Sequence, residues 1–202
     1  GNVRFKSSTN RAPRKKTNGK LGEEFWIWLQ LKVIADIGII GKPNAGKSIL
    51  LAAVTRAKPK IANYPFTTIN PNLGVSYYGG KEITLADIPG LVEGAHKGTG
   101  LGIQFLKHIE RCKSLLHMID VTNDDLKKSY KQIKNELKKY STKLSKKKEL
   151  VVLNKVDLID NNEVKKIIKE FSKNTKSEVI TLSTLKKKSV SQIKAKLISY
   201  AS

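Results

Sequence analysis

The sequence predicts an α/β fold, a mostly parallel six-stranded sheet with helices on both faces, preceded by a short partial β segment. Three observations predict it. From Val33 onward, short apolar runs alternate with longer segments of 3.6-residue period, the pattern of βαβ units. A glycine-rich loop, Gly41 to Gly46, stands directly between one such run and one such segment. Two neighbouring runs are joined by Gly79-Gly80, which marks an antiparallel hairpin inside the parallel pattern.

Taken in order, residues 1–24 are polar, basic and rich in turn formers. Phe25 to Lys32 alternates and predicts a strand with Trp26 and Trp28 on one side, an aromatic pair suited to a core. Strands are then expected near 34–40, 73–78, 82–87, 114–121, 149–154 and 178–182. Helices are expected near 47–57, 100–112, 124–140, 161–173 and 189–200. The lysine runs 146–148 and 186–188 flank predicted elements and read as solvated faces. Residues 1–32 are too few for a complete domain, so the chain reads as a fragment: an incomplete domain over 1–32, then a whole one over 33–202.

A chain of 202 residues with 39% hydrophobic content can bury a sizeable core. No apolar run approaches the roughly 20 residues of a membrane span, Val33 to Ile40 being interrupted by Asp36. Residues 1–24 carry no apolar leader, and the single cysteine, Cys112, excludes an internal disulfide framework. A cytoplasmic, monomeric protein is expected. Charge is the unusual feature, at +22, with 39 Lys and Arg against 17 Asp and Glu. Such a surface attracts polyanions, RNA or a ribosome foremost. Only positions 4, 11, 14, 56 and 111 are arginine. Lysine makes the poorer phosphate fork, so a compositional preference for lysine stands beside RNA binding as an account of the charge.

The chemistry lies at predicted strand ends. Gly41-Lys42-Pro43-Asn44-Ala45-Gly46-Lys47-Ser48 has the spacing G-x-x-x-x-G-K-S, a phosphate loop, between the run Asp36 to Ile40 and a helix. Its backbone N–H groups and the helix N-terminus favour phosphate oxygens. Lys47 would bridge the β and γ phosphates, and the Ser48 hydroxyl would ligate Mg²⁺. Asp87-Ile88-Pro89-Gly90 closes a second run as D-x-x-G, with Asp87 reaching the Mg²⁺ sphere through water and the Gly90 N–H reaching the γ-phosphate. Asn154-Lys155-Val156-Asp157 ends a third as N-K-x-D. The Asp157 carboxylate matches guanine's N1–H and N2–H₂ donors. Adenine lacks those donors and would leave the charge unpaired, a mismatch worth discrimination of about 10⁴. Lys155 would lie along the base and Asn154 would brace the loop. Ser183-Thr184-Leu185 is placed by order and spacing to cap guanine O6. Between the first helix and the hairpin, Phe66-Thr67-Thr68-Ile69-Asn70 supplies the threonine that senses the γ-phosphate. Thr68 is the expected Mg²⁺ ligand and Thr67 the alternative. The motifs together describe a P-loop NTPase of the GTP-binding kind.

At this point the chain resembles the Obg GTPases of ribosome assembly. The resemblance rests on Pro59 to Thr68 with Pro71 to Val75 as a first switch. It rests also on Asp87 to Ala95, Gly98 to Gly102 and Phe105 to Arg111 as a glycine-rich second switch. Gly1 to Pro13 is similar to the end of that family's glycine-rich amino-terminal domain. The resemblance implies a Mg²⁺-dependent GTPase acting as a switch in large-subunit assembly. GTP and GDP would be its ligands, and the large subunit or its rRNA would be the partner of the longer parent protein. The alternative is an RNA- or ribosome-binding regulator whose nucleotide site senses guanine nucleotides, with hydrolysis secondary. Leu91 stands where many GTPases carry a water-orienting glutamine, so slow turnover is expected. Asn44 either anchors a K⁺ ion against the phosphates, as in related GTPases, or only stabilises the loop. Glu93 and His96 are the remaining second-switch candidates. His96, His108 and His117 have no metal-ligand spacing, and His117 reads as a core residue.

Overall fold

The computed structural model describes residues 2–27, 34–55, 60–61, 71–87, 101–175 and 177–201. The chain divides into two compact units, Gly1–Leu31 and Lys32–Ser202.

In the first unit the described residues form one 3₁₀ turn, Val3–Phe5, and otherwise irregular backbone. The strand predicted from Phe25 is not found there. Phe25, Trp26 and Ile27 lie in irregular backbone with exposed side chains, Trp26 completely so. Alternation marks a strand only where another strand takes up the ladder hydrogen bonds, and no strand occurs among residues 2–27. The core role expected of Trp26 is therefore corrected, and Trp28 lies outside the described residues.

The second unit is built on one sheet. Its elements are β1 (Ala35–Ile40), α1 (Lys47–Val54), β2 (Lys60–Ile61), β3 (Asn72–Tyr78), β4 (Lys81–Asp87) and α2 (Leu101–Glu110). There follow β5 (Cys112–Asp120), α3 (Leu126–Tyr140), α4 (Thr142–Ser145), β6 (Glu149–Asn154), α5 (Asn161–Asn174), β7 (Glu178–Leu182) and α6 (Lys187–Ala201). Among the described residues the sheet has seven strands, in the order β2-β3-β4-β1-β5-β6-β7. Six are the predicted ones; the seventh, β2, adds two residues at the edge and is too short to show any periodicity. β4, β1, β5, β6 and β7 run parallel, and β2 and β3 are antiparallel to their neighbours. The β3–β4 hairpin turns through Gly79 (φ 57°) and Gly80 (φ 75°), left-handed positions that suit the twist of a two-residue loop.

Central strands buried on both faces read as continuous apolar runs. Leu150, Val151, Val152 and Leu153 of β6 are all buried. On one face Ile37, Ile39 and Leu116 pack with Leu50, Leu51 and Val54 of α1 and Ile193 and Leu197 of α6. On the other, Ile40 and Leu115 meet Leu106 and Ile109 of α2 and Ile133 and Leu137 of α3, while Val151 and Leu153 meet Phe171 of α5. Asp125 caps α3 by accepting from the Lys128 N–H at 2.8 Å, and Asp160 caps α5 through the Asn162 N–H at 2.9 Å.

Cys112 opens β5 rather than closing the preceding helix, because Ala35 of β1 pairs with it. Burial pushes its thiol up to about 12, so it is a core residue with no nucleophilic character. The 146–148 lysine run is more than a solvated face. Lys147 donates to the carbonyl of Glu110 at 2.7 Å and to that of Cys112, and so ties down the chain where α2 gives way to β5. Lys148 donates to the Ser199 carbonyl at 2.9 Å in the last turn of α6 and lies 4.6 Å over the Tyr200 ring. Lys146 is exposed and makes no such bond among the described residues.

No helix among the described residues is long and apolar enough to cross a membrane.

Candidate functional site

The parallel strands β1, β4, β5, β6 and β7 deliver their following loops to one edge of the sheet. β1 lies between β4 and β5, where the chain changes its direction of travel, the usual ligand crevice of an open α/β sheet. The phosphate-loop motif occupies this position, after β1 and before α1.

The local sequence forces the loop's shape. Asn44 (φ 64°) and Gly46 (φ 94°) are left-handed. A Cβ on Gly46 would lie 2.4 Å from Asn154 Nδ2, so only glycine fits against that side chain. Gly46 is also the N-cap of α1 and supplies no side-chain cap, leaving the first-turn N–H groups directed out of the helix. Pro43 and Asn44 are exposed, Ala45 is buried, and Gly41 closes against the Met118 carbonyl. Lys47 is buried, and its ammonium donates to the carbonyls of Gly41 at 3.1 Å and Lys42 at 3.0 Å. Burial lowers its pKa, partly opposed by the Asp87 charge.

Asp87 ends β4 with its carboxylate buried, and register places it beside Ile39, just before the phosphate loop. Ser48 Oγ donates a hydrogen bond to Asp87 Oδ2. Asp87 Oδ1 is buried with no partner among the described residues. Two motifs 39 residues apart thus meet through one hydroxyl and one carboxylate. Hard divalent cations select such oxygen donors.

The N-K-x-D motif leaves the end of β6. The fully buried Asn154 donates through Nδ2 to the Ala45 carbonyl at 2.9 Å, tying the third motif to the first across 109 residues. Lys155 is left-handed (φ 66°), which swings the chain into the 3₁₀ turn Val156–Leu158 that carries the half-buried Asp157. Ser183 follows β7, buried, with its N–H donating to Ser189 Oγ at 3.0 Å. Thr184 is half-buried and Leu185 exposed.

Several expected residues lie outside the described residues. These are Phe66, Thr67, Thr68, Ile69 and Asn70 of the first switch, and Ile88, Pro89, Gly90, Leu91, Glu93 and His96 of the second. The structure brings together the phosphate loop, Asp87 and the Asn154 loop.

Sequence reasoning passed over two groups that the fold makes prominent. Asp120 ends β5 opposite Asn154, and its carboxylate meets Lys155 Nζ at 2.5 Å. Burial acts to raise its pKa, but the hydrogen bonds from Lys155 and Thr122 outweigh that and hold it low. Its one sequence signal is an acidic residue ending the strand that precedes the N-K-x-D strand. The second group centres on Glu149, buried at the start of β6. Its carboxylate accepts from Lys134 (2.8 Å), Ser177 (3.0 Å) and Tyr130 (3.2 Å), and faces His117 Nδ1 at 3.0 Å. His117 is fully buried, as its apolar flanks predict, and its ring stacks on Tyr130 with centroids 5.1 Å apart.

Residues 36–155 match the family described as 50S ribosome-binding GTPase. GTPase Obg of Pelagibacter ubique is 70% identical over 202 residues, which are 100% of this chain and 62% of that protein. GTPase Obg of Ehrlichia ruminantium is 55% identical over 93% of this chain and 55% of its own length, and that of Rickettsia felis 51% over 96% and 58%. The chain thus spans a little over half the length of these curated relatives. Among solved structures, the G domain of the T. maritima FeoB iron transporter aligns with 82% of this chain and 98% of its own. The TM-score is 0.63 at 24% identity, a likeness of fold alone. The cytosolic domain of L. pneumophila FeoB aligns with 81% of this chain and 67% of its own, with a TM-score of 0.59 at 20% identity. With its phosphate loop, Asp87 and Asn154 loops gathered at one sheet edge, the chain belongs to the 50S ribosome-binding GTPase family and is similar along its length to the GTPases named Obg.

Proposed function

We propose that this chain binds GTP with Mg²⁺ and hydrolyses it slowly, as the switch domain of a protein that acts in assembly of the large ribosomal subunit. The observation that carries the reading is the meeting of Ser48 with Asp87 beside Lys47, while Asn154 holds the phosphate loop from behind. Ser48, Asp87 and Thr68 would hold Mg²⁺, Asp87 through water, and the buried Asp87 Oδ1, without a partner among the described residues, supports this oxygen set. When bound, Mg²⁺ neutralises charge on the β and γ phosphates.

The chain's own residues supply the rest. Lys47 exchanges its two loop carbonyls for phosphate oxygens, and its displacement is aided by the weaker hold of neutral acceptors compared with charged ones. The open first turn of α1 adds its N–H groups to the phosphates. Asp157 reads guanine N1–H and N2–H₂, with Ser183, Thr184 and Leu185 around O6. Gly90 and Thr68 report the γ-phosphate to the two switches. Leu91 cannot orient water, so turnover is slow, with Asn44 as the candidate anchor of a K⁺ ion that would supply missing positive charge.

The family description and the relatives' names support the ribosomal role, and the +22 charge suits an rRNA partner. Binding of fluorescent GDP and a GTP analogue, followed by phosphate release, tests the enzymatic half. Pelleting with purified large subunits in each nucleotide state, using this chain and a longer parent, tests the switch. Nucleotide-indifferent pelleting would favour a basic RNA binder with a regulatory nucleotide site.

A further inference from the structure

The residue that the nucleotide motifs leave unnamed is Asp120. It ends β5 and pairs in register with Asn154 of β6, so it stands at the root of the loop that carries Lys155. Its two oxygens are divided. Oδ1 accepts from the Thr122 backbone N–H at 3.0 Å and from Thr122 Oγ1 at 2.7 Å. Oδ2 faces Lys155 Nζ at 2.5 Å, with the carboxylate 10% exposed and the lysine 32%. Thr122 therefore fixes the carboxylate, and the carboxylate fixes the ammonium.

We infer that Asp120 is a positioning residue for guanine recognition: with Thr122 behind it, it clamps the Lys155 ammonium so that the lysine stem stands ready along the base plane. The inference rests on the GTP-binding reading above. Its physical basis is preorganisation. A lysine side chain is a flexible four-carbon stem, and ordering it at the moment of binding lowers affinity. Here the fold orders it in advance. The left-handed backbone at Lys155 commits the chain's direction, and the ion pair commits the side chain's far end. Neutralising the ammonium has a second effect. The base meets the apolar stem of the lysine, and the charge is kept from competing for the phosphates that Lys47 is placed to hold. An exposed surface ion pair would contribute little, but this one is partly desolvated and braced on its acidic side by two hydrogen bonds. Because the clamp touches only the base side, it should act alike on the diphosphate and triphosphate.

The test is a double-mutant cycle on the whole chain, read by binding of fluorescent GDP and a non-hydrolysable GTP analogue. Asp120→Ala should weaken both nucleotides by the same factor, on the order of tenfold, the size of one charge-assisted hydrogen bond. Lys155→Ala should weaken them as well, and adding Asp120→Ala to it should then change nothing further. Asp120→Asn, which keeps an acceptor for the ammonium, should recover part of the loss. Thr122→Val should show a smaller loss of the same kind and serves where Asp120→Ala folds poorly. A purely structural Asp120 would give losses that add in the double variant, and that result, or unchanged affinity in Asp120→Ala, would overturn the clamp. A wild-type chain that binds no guanine nucleotide would instead overturn the GTP-binding reading on which the clamp depends.

Discussion

Replacing Glu149 with glutamine should destabilise the fold by about 3 kcal/mol at neutral pH, and by less in acid. Burial of this carboxylate would raise its pKa. The hydrogen bond and charge of His117 and the charge and hydrogen bond of Lys134 together outweigh it and bring the group from 4.5 to about 2. At 1.36 kcal/mol per pH unit, that displacement corresponds to about 3 kcal/mol of stability. The sign follows from linkage. The folded pKa lies below the unfolded one, so the contribution is fully present above pH 4.5 and is lost as pH falls towards 2. At pH 3.5 about 2 kcal/mol should remain. Glutamine keeps the shape but removes the charge that pairs with Lys134 at 2.8 Å and faces His117 at 3.0 Å. The assay is urea unfolding of the nucleotide-free chain and its Glu149→Gln variant from pH 3.5 to 7. The difference between the two isolates Glu149 from other titrating carboxylates. A difference below about 1 kcal/mol at pH 7, or one that stays constant into acid, would refute the account of the network.

Other expectations concern the nucleotide site. Asp157→Asn should weaken GTP severely while favouring xanthosine triphosphate, whose position 2 carries a carbonyl; competition binding would expose an unchanged preference. Thr68→Ala should spare GDP and weaken the GTP analogue, and equal weakening of both, measured by titration, would move the assignment to Thr67. Hydrolysis should run faster in K⁺ than in Na⁺ at equal ionic strength, by a factor below the 10³–10⁵ or so of an arginine finger, and Asn44→Ala should erase the difference. Single-turnover rates that match in the two salts would end the K⁺ assignment and return attention to Glu93 and His96.

Much of this architecture was legible in the sequence because it is dictated locally. The six longer strands and five longer helices follow from hydrophobic period, which each segment carries within itself. The phosphate loop is equally local: Asn44 and Gly46, residue types that tolerate a left-handed backbone, stand where the chain needs one between a strand and a helix. So are Asp87 and the Asn154 loop, since a group fixed at a strand end is delivered to the sheet's edge once the strands run parallel. What the sequence could not show depends on partners far along the chain. β2 has two residues and exists only because Leu73 and Asn72 pair with it. Phe25 to Lys32 alternates like a strand, yet its described part, Phe25 to Ile27, lies in irregular backbone, since a strand is a property of two segments and not one. Lys147 and Lys148 read as solvent-facing charge, but their acceptors lie 37 and 51 residues away at the ends of other elements. Glu149 finds His117 at a separation of 32, and Asp120 finds Lys155 at 35, because β5 and β6 adopt one parallel register out of several. Period and motif are set within a few residues by backbone geometry, and so the sequence alone determined the longer elements and the strand ends at which the phosphate loop, Asp87 and the Asn154 loop stand. Which charges neutralise each other is set by register between strands, where the burial of both sheet faces selects a single alignment, and only the tertiary structure decided that.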